Sequence, residues 1–419
     1  MSYFMEALNW YAALPSTVMI MIGIFLIGLI LARLKPMAAL KSSIYVAAGM
    51  IGLNTMVGMF AGAAVPVLTE IINSTGMKLD VVDLGIGSVQ SYVTFPLSFY
   101  ALLLPIGLIV NVVMILLKLT NTFDVDIFNY FVMALTSAYI YGTTENIPLA
   151  VVGFVITEII ILKFADFTAP AIQKAYGLDG VSIPHGNAVV FAPVGILVNY
   201  VIEKIPPLRK IDWSPEKIEE KFGGLVQPST IGFVMGIVFG VVARMSFGEC
   251  VELAATIAAF MILFPKMLGT LIEGIQPVAD GMRETTEKFL HRQLNIGLDA
   301  AILVGMPDVM ATGILLVPVV ILLAFTLPGN RVMPLADLAI ACPFLVSCCM
   351  PFCKKNIFRG FIAGIFVFII ALYVCTATAD MYTAAAAANG LPFDSVSTSV
   401  GGASTWVSWI IAQILNLFG

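Results

Sequence analysis

Apolar residues run through the chain in blocks of about 20, each long enough to carry a helix across roughly 30 Å of hydrocarbon. The blocks fall near 13–33, 43–68, 94–117, 127–142, 147–163, 226–244, 252–275, 309–327, 335–350, 357–378 and 404–418. About 11 transmembrane helices are therefore expected, in an all-α polytopic fold. Two further stretches, 82–93 and 295–308, are too short and too polar to cross and read as re-entrant hairpins. The stretch 180–193 (Gly-Val-Ser-Ile-Pro-His-Gly-Asn-Ala-Val-Val-Phe-Ala-Pro) opens in the same way and holds one of only two histidines. Non-helical backbone survives at membrane depth only where protein buries it or where it lines a cavity. Ser182, His185 and Asn187 are expected in such a cavity.

Composition agrees with this pattern. The chain is 60% hydrophobic and 11% charged, with a mean hydropathy of +1.00, more apolar surface than a soluble chain of this length could hide. The first apolar run follows a short acidic end without a basic n-region or a small-residue cleavage site, so it reads as a retained span. Orientation follows Lys and Arg placement, not the net charge of −5. With the N-terminus outside, the inner segments hold 17 of the 21 basic residues; Lys78, Arg244 and Arg331 lie outside, and Lys266 falls within a span. The expected topology is N-out and C-in.

A repeat accompanies it. Leu102-Leu-Leu-Pro105 through Asp124 matches Leu315-Leu-Val-Pro318 through Asp337 at a constant offset of 213, and the segment ending at Asp83 matches the one ending at Asp299 at 216. Five spans precede the second copy, so the halves, about 12–165 and 226–378, are expected to be inverted. Inverted repeats with interrupted segments at matching places point to a transport site near the midplane. Gly232, Gly236 and Gly240 stand four apart, which lets another helix approach closely. The hydrophilic segment 203–224, with five basic and five acidic residues, reads as a solvated connector or a docking surface, and 378–403 reads as an external linker.

Carboxylates inside such segments are expensive and face a pathway or a partner. Asp83, Glu145, Asp299 and Asp308 lie near the interrupted elements. Asp83 and Asp299 occupy matching places; they either bind a hydroxylated ligand, with Ser88 and Gln90 after Asp83, or cap helix N-termini. Glu145 is either exposed between two spans or a further ligand group. Asn129 begins an apolar span. His185 titrates near neutral pH and can take a proton from a hydroxyl or hold one. The six cysteines lack zinc spacing and nearby His or carboxylate, so no metal is expected. A nucleotide-binding fingerprint is absent, and no cofactor or nucleic-acid partner is expected.

Seven passages occur in the order, and with the spacing, of one family: Val81-Val-Asp-Leu-Gly85, Val125-Asp-Ile-Phe-Asn129, Ile183-Pro-His-Gly186, Ile202-Glu-Lys-Ile-Pro206, Gly232-Phe-Val-Met-Gly236, Ile296-Gly-Leu-Asp299 and Pro328-Gly-Asn-Arg-Val-Met-Pro334. The chain resembles the membrane-embedded IIC subunit of the galactitol group of bacterial phosphotransferase systems, related to the ascorbate permeases. It departs from the galactitol pattern at Val132 and near Met306, where that pattern carries histidines. The resemblance implies a homodimer in the bacterial cytoplasmic membrane, with a substrate-carrying core that moves against a scaffold in elevator fashion. It also implies separate IIA and IIB phosphocarrier partners that phosphorylate a sugar or polyol as it reaches the cytosol, with neither partner fused here. In that reading Asp299 or His185 takes the hydroxyl proton, and Asp83, Ser88, Gln90, Asn129 and Asn187 hold other hydroxyls. The alternative is an ion-coupled elevator transporter that uses Asp83 and Asp299 as ion sites and modifies nothing.

Overall fold

The computed structural model describes residues 16–75, 79–94, 97, 99–214, 217, 220, 228–290, 292–334, 336 and 338–418. Its first stretch runs α1 (Ser16–Ile30), α2 (Pro36–Thr75), β1 (Val81–Asp83), α3 (Ile86–Ser88), α4 (Tyr100–Leu116), β2 (Thr122–Asp124), α5 (Ile127–Thr144), α6 (Ile147–Tyr176), β3 (Val181–Ser182), α7 (Gly186–Val189) and α8 (Ala192–Lys204). The second runs α9 (Pro228–Val242), α10 (Phe247–Leu290), β4 (Asn295–Gly297), α11 (Ala301–Val304), α12 (Pro307–Thr326), β5 (Val332–Met333), α13 (Leu338–Val346), α14 (Ile357–Ala388), β6 (Ser397–Thr398), α15 (Val400–Ala403) and α16 (Trp406–Leu415). The same succession of elements occurs twice, α1–α8 against α9–α16.

Among the described residues five helices are long and apolar enough to cross a membrane: Ile147–Tyr176, Gly186–Lys204, Phe247–Met282, Pro307–Thr326 and Ile357–Ala388. Five shorter apolar helices accompany them, including Leu102–Leu116 and Trp406–Phe418. The chain is an integral membrane protein. Two helices outrun the expected blocks: α2 has 40 residues and α10 has 44, about 60 and 66 Å at 1.5 Å per residue. They lie against each other along much of their length, and Gly49 and Gly274 sit where a Cβ would strike Leu271 and Tyr45 of the opposite helix. Gly236 and Gly240 likewise leave no room for a Cβ against Ala254 and Cys250 of α10. The glycine stripe is a packing surface, as its spacing predicts.

The fold is not purely helical. Six strands of two or three residues form two three-stranded parallel sheets, ordered β5-β1-β6 and β2-β4-β3. Each sheet takes its middle strand from one stretch of the chain and its flanking strands from the other. Val81 and Val82 pair with Val332 and Met333, while Val82 and Asp83 pair with Ser397 and Thr398. Thr122, Phe123 and Asp124 pair with Asn295, Ile296 and Gly297; Val181 and Ser182 pair with Ile296 and Gly297. Short strands satisfy backbone groups that lipid cannot, which is what non-helical chain at this depth requires.

Two expectations are corrected. Residues 378–403 are not an external linker: α14 continues to Ala388, and β6 and α15 return into the protein, with Ser397–Thr398 and Val400–Ala403 all buried. Helix α8 was absent from the expected spans because Pro184, Gly186 and Pro193 break the apolar run; together α7 and α8 form a spanning element. Part of the connector after Lys204 packs on the body. Arg359 donates to Asn199 Oδ1 at 2.5 Å, Glu203 Oε1 at 2.5 Å and the Arg209 carbonyl at 3.3 Å, and Asn356 Nδ2 donates to the Ile211 carbonyl at 3.0 Å.

Candidate substrate site

Strands β2, β3 and β4 run parallel, so their C-terminal ends deliver three short polar segments to one place. Asp124 ends β2. Its Oδ1 accepts from Asn129 Nδ2 at 2.8 Å and from the Asp126 amide at 3.2 Å. Asp126 caps α5, its Oδ1 accepting from the Phe128 amide at 2.9 Å, and its Oδ2 accepts from the Asp299 amide at 3.2 Å. That bond ties the exit of β2 to the exit of β4. Asp299 Oδ1 accepts from the Ala301 amide at 2.6 Å, and its Oδ2 stands 3.6 Å from His185 Nε2. His185 precedes α7, is 1% exposed, and meets the Phe344 ring edge-on at 4.7 Å.

The lead-in to each strand is braced. The Arg292 guanidinium, ahead of β4, donates to Asn121 Oδ1 and to the carbonyls of Ile115 (3.1 Å) and Thr120 (2.7 Å), all ahead of β2. Asp166 Oδ1 accepts from the Asn121 amide at 2.9 Å and Thr122 Oγ1 at 3.0 Å. Gln173 Nε2 donates to the Val181 carbonyl at 2.9 Å and Asn295 Oδ1 at 3.0 Å, joining β3 to β4. The three strand ends are thus held rigidly with respect to one another, as a binding site requires.

What these ends present is unmet hydrogen-bonding capacity. Asp124 Oδ2, Asn129 Oδ1, Ser182 Oγ, His185 Nδ1 and Asn187 Oδ1 are buried and have no partner among the described residues. Buried polar atoms are paired with few exceptions, and an unpaired one costs about 1–3 kcal/mol. Two of the five atoms (Asn129 Oδ1 and Asn187 Oδ1) can only accept, and Asp124 Oδ2 does so when the carboxyl is ionised. The amide of Asn187 is oriented by its donor side, with Nδ2 donating to the carbonyls of Gly402 at 2.8 Å and Gly401 at 3.3 Å. The site demands donors, and a molecule rich in hydroxyls supplies one per hydroxyl.

The sequence profile of the PTS system sugar-specific permease components (EIIC-GAT) matches residues 14–395. The chain belongs to this family. It is 33% identical over 412 residues to a protein of Escherichia coli (strain K12) provisionally named as a permease IIC component, covering 98% of this chain and 94% of that protein. It is 30% identical over 415 residues to the PTS system galactitol-specific EIIC components of Escherichia coli (strain K12) and Escherichia coli O157:H7, covering 99% of this chain and 91% of each.

Within this permease, the candidate residues separate into two groups. Asn129, Ser182, His185, Asn187 and Asp299 come together at the exits of β2, β3 and β4. Asp83, Ser88 and Glu145 do not join them. Asp83 ends β1 in the opposite sheet, where its Oδ1 accepts from the amides of Gly85 and Val400 at 3.1 Å and its Oδ2 from Ala336 at 3.3 Å. Asp83 thus holds three backbone amides, one of them the first of α15. Ser88 Oγ meets the Gly85 carbonyl and the Tyr382 hydroxyl, both at 2.6 Å. Asp308 Oδ2 accepts from the Tyr176 hydroxyl at 2.7 Å, which docks α6 on the first turn of α12. Glu145 is exposed in the left-handed turn after α5, with φ 54°. It sits about 24 Å along that helix from Asn129 at 1.5 Å per residue. The side chain of Gln90 lies outside the described residues.

Asp124 and Asp126 join the site without having been singled out. Asp126 stands in the stretch quoted for its family likeness, with Asn129 three residues beyond, and Asp124 ends the first copy of the repeat quoted above; those positions were the available signal. Glu158, a carboxylate in the middle of the apolar helix α6, was the other signal passed over.

Proposed function

We propose that this permease is the IIC subunit of a phosphotransferase system that binds an acyclic polyol or a related sugar at the exits of β2, β3 and β4, and presents one hydroxyl to a phosphorylated IIB partner at the cytosolic face. The observation that carries the site is the set of buried acceptors left without donors. The two galactitol-specific relatives supply the ligand class. Lys118, Lys174 and Arg292 precede the three strands of this sheet, a basic bias that favours a cytosolic approach.

His185 Nε2 and Asp299 Oδ2, 3.6 Å apart, are too far apart for a good hydrogen bond, yet one hydroxyl oxygen about 2.8 Å from each fits between them. In the proposed transfer the Asp299 carboxylate takes the hydroxyl proton, the hydroxyl oxygen forms a bond to phosphorus, and the phosphorus–sulfur bond of phosphocysteine on IIB breaks. His185 orients the hydroxyl. Such a transfer depends mostly on positioning and on the base.

The twofold succession of elements, with each sheet built from both stretches, supports an inverted repeat extending over 16–204 and 228–415. The long paired helices α2 and α10 fit a scaffold against which a core carrying both sheets moves in elevator fashion, in a homodimer with its N-terminus outside.

The test uses vesicles bearing the permease, loaded with IIA, IIB, the general phosphotransferase proteins and phosphoenolpyruvate. Hexitols and sugars offered outside are expected to accumulate inside as phosphate esters. Accumulation of unmodified substrate driven by a proton or sodium gradient would replace this reading with ion-coupled transport.

A further inference from the structure

Glu158 lies in α6 eleven residues from its start, about 17 Å along the helix axis. It is fully buried, and neither carboxyl oxygen has a hydrogen-bond partner among the described residues. Among the described residues no cation pairs with it and no helix end is capped by it. A carboxyl in that position is costly whether charged or neutral unless something donates to it.

Its neighbours along the helix show what surrounds it. Phe154, one turn before, meets the Tyr130 ring at Gly107, and Tyr130 donates its hydroxyl to the Asp124 carbonyl at 3.1 Å. Ile161, about one turn after, meets Val132 at Gly186, the residue that follows His185. Thr157 donates to Thr136 Oγ1 of α5 at 2.8 Å. Glu158 is therefore bracketed by residues that touch the chain carrying Asp124 on one side and His185 on the other.

We propose that Glu158 forms a deep subsite of the substrate site, in which its carboxyl, with Asp124 Oδ2 and Asn129 Oδ1 beside it, binds the hydroxyls of the polyol end that is not phosphorylated. This rests on the polyol reading above. An acyclic polyol long enough to span from Asp299 to Glu158 satisfies both groups at once; a shorter one leaves Glu158 unmet. The subsite thus selects for chain length.

The test measures binding to the full-length permease in detergent by thermal shift and calorimetry, with a panel of hexitols and pentitols and with sodium chloride. Glu158→Met keeps the volume and removes the polar atoms; Glu158→Gln keeps an acceptor. Replacing a buried unpaired carboxyl by an apolar group of similar shape leaves unliganded stability unchanged or raised, whereas losing its ligand hydrogen bond weakens hexitol binding by about tenfold or more. Pentitol binding is expected to stay within about threefold, and Gln to restore most of the hexitol affinity. Equal losses for hexitol and pentitol, or no loss for either, overturn the subsite while leaving the polyol reading intact. A sodium-induced shift that Glu158→Met abolishes also overturns it, in favour of a cation site. If no polyol shifts the wild-type protein, the polyol reading itself fails and the subsite with it.

Discussion

The two small sheets are built alike and used differently. Each has three parallel strands, a middle strand from one stretch of the chain and two flanking strands from the other, and an aspartate at or just past the end of the middle strand. In the sheet centred on β1, both oxygens of Asp83 accept backbone amides, from Gly85, Val400 and Ala336, so the carboxylate closes the chain ends together. In the sheet centred on β4, Asp299 holds one amide, that of Ala301, and turns its other oxygen to His185. Counting 216 residues on from β3 reaches β6, and the same count sets Gly401 against His185 and Ala403 against Asn187. Both poles keep buried hydroxyls without partners among the described residues, Thr398 Oγ1 at one and Ser182 Oγ at the other, but the unpartnered imidazole nitrogen of His185 and amide oxygen of Asn187 are matched by residues without polar side chains at the first pole. What a carboxylate holds here follows from how many donors its surroundings supply, not from its place at the end of a middle strand.

Asp299→Asn should break that contrast most severely. The amide keeps the shape but cannot take a proton, so phosphoryl transfer in the reconstituted system should fall about 10²–10⁴-fold while polyol binding persists. His185→Gln should act mainly on binding, raising the KM for polyol more than it lowers kcat. If Asp299→Asn transfers phosphate at the wild-type rate, the proton goes elsewhere and Asp299 is a cap like its counterpart.

Asp83→Ala tests the other pole. It strands three buried or half-buried amides and should cost at least about 2 kcal/mol of stability, read as a lowered Tm. Polyol affinity measured below the transition should be unchanged. A loss of affinity without a loss of stability would make Asp83 a ligand group and dissolve the distinction between the sheets.

Much of the frame was legible in the residues and some of the site was not. Apolar blocks and basic loops announce a polytopic membrane protein because burial in lipid constrains every position of a span. Broken segments at 82–93, 180–193 and 295–308 announce the interrupted elements, since Gly, Pro and polar residues are costly there without a reason. Strands of two or three residues carry no readable period, so the pairing that sets Asp124 beside Asp299 was invisible. For the same reason Asp83 and Asp299 read as equivalents, although two of the donors to Asp83, Val400 and Ala336, lie in parts of the chain that only folding brings near, whereas the donor to Asp299, Ala301, stands two residues along. Residues 378–403 read as a linker because Ala, Gly, Ser and Thr fill them, yet small residues are what lets α15 pack beside α7. A Cβ on Gly402 would meet Val89, and its carbonyl receives Asn187.

The smallest effect distinguishes the poles by pH. In both, an arginine joins the lead-ins of two neighbouring strands. Arg292 does so at the β2–β4 pair through carbonyls and the Asn121 amide oxygen, none of which titrates. Arg331 does so at the β1–β5 pair through Asp80 Oδ2, at 2.9 Å from Nε and 2.7 Å from Nη2. The Arg331 guanidinium holds the Asp80 carboxyl below its ordinary value of 3.8. A depressed folded-state value means that the pair stabilises above the unfolded value and that this contribution fades as pH falls through the folded one. Asp80 is 63% exposed, so the contribution stays below about 1 kcal/mol and is screened by salt. The Tm difference between wild type and Asp80→Asn should therefore be small and constant from about pH 5 to 7, should shrink below about pH 4, and should shrink in high salt at any pH. A difference that instead survives at low pH would mean that Asp80 holds Arg331 by shape, as Asn121 holds Arg292, and the two lead-ins would be braced by the same neutral device.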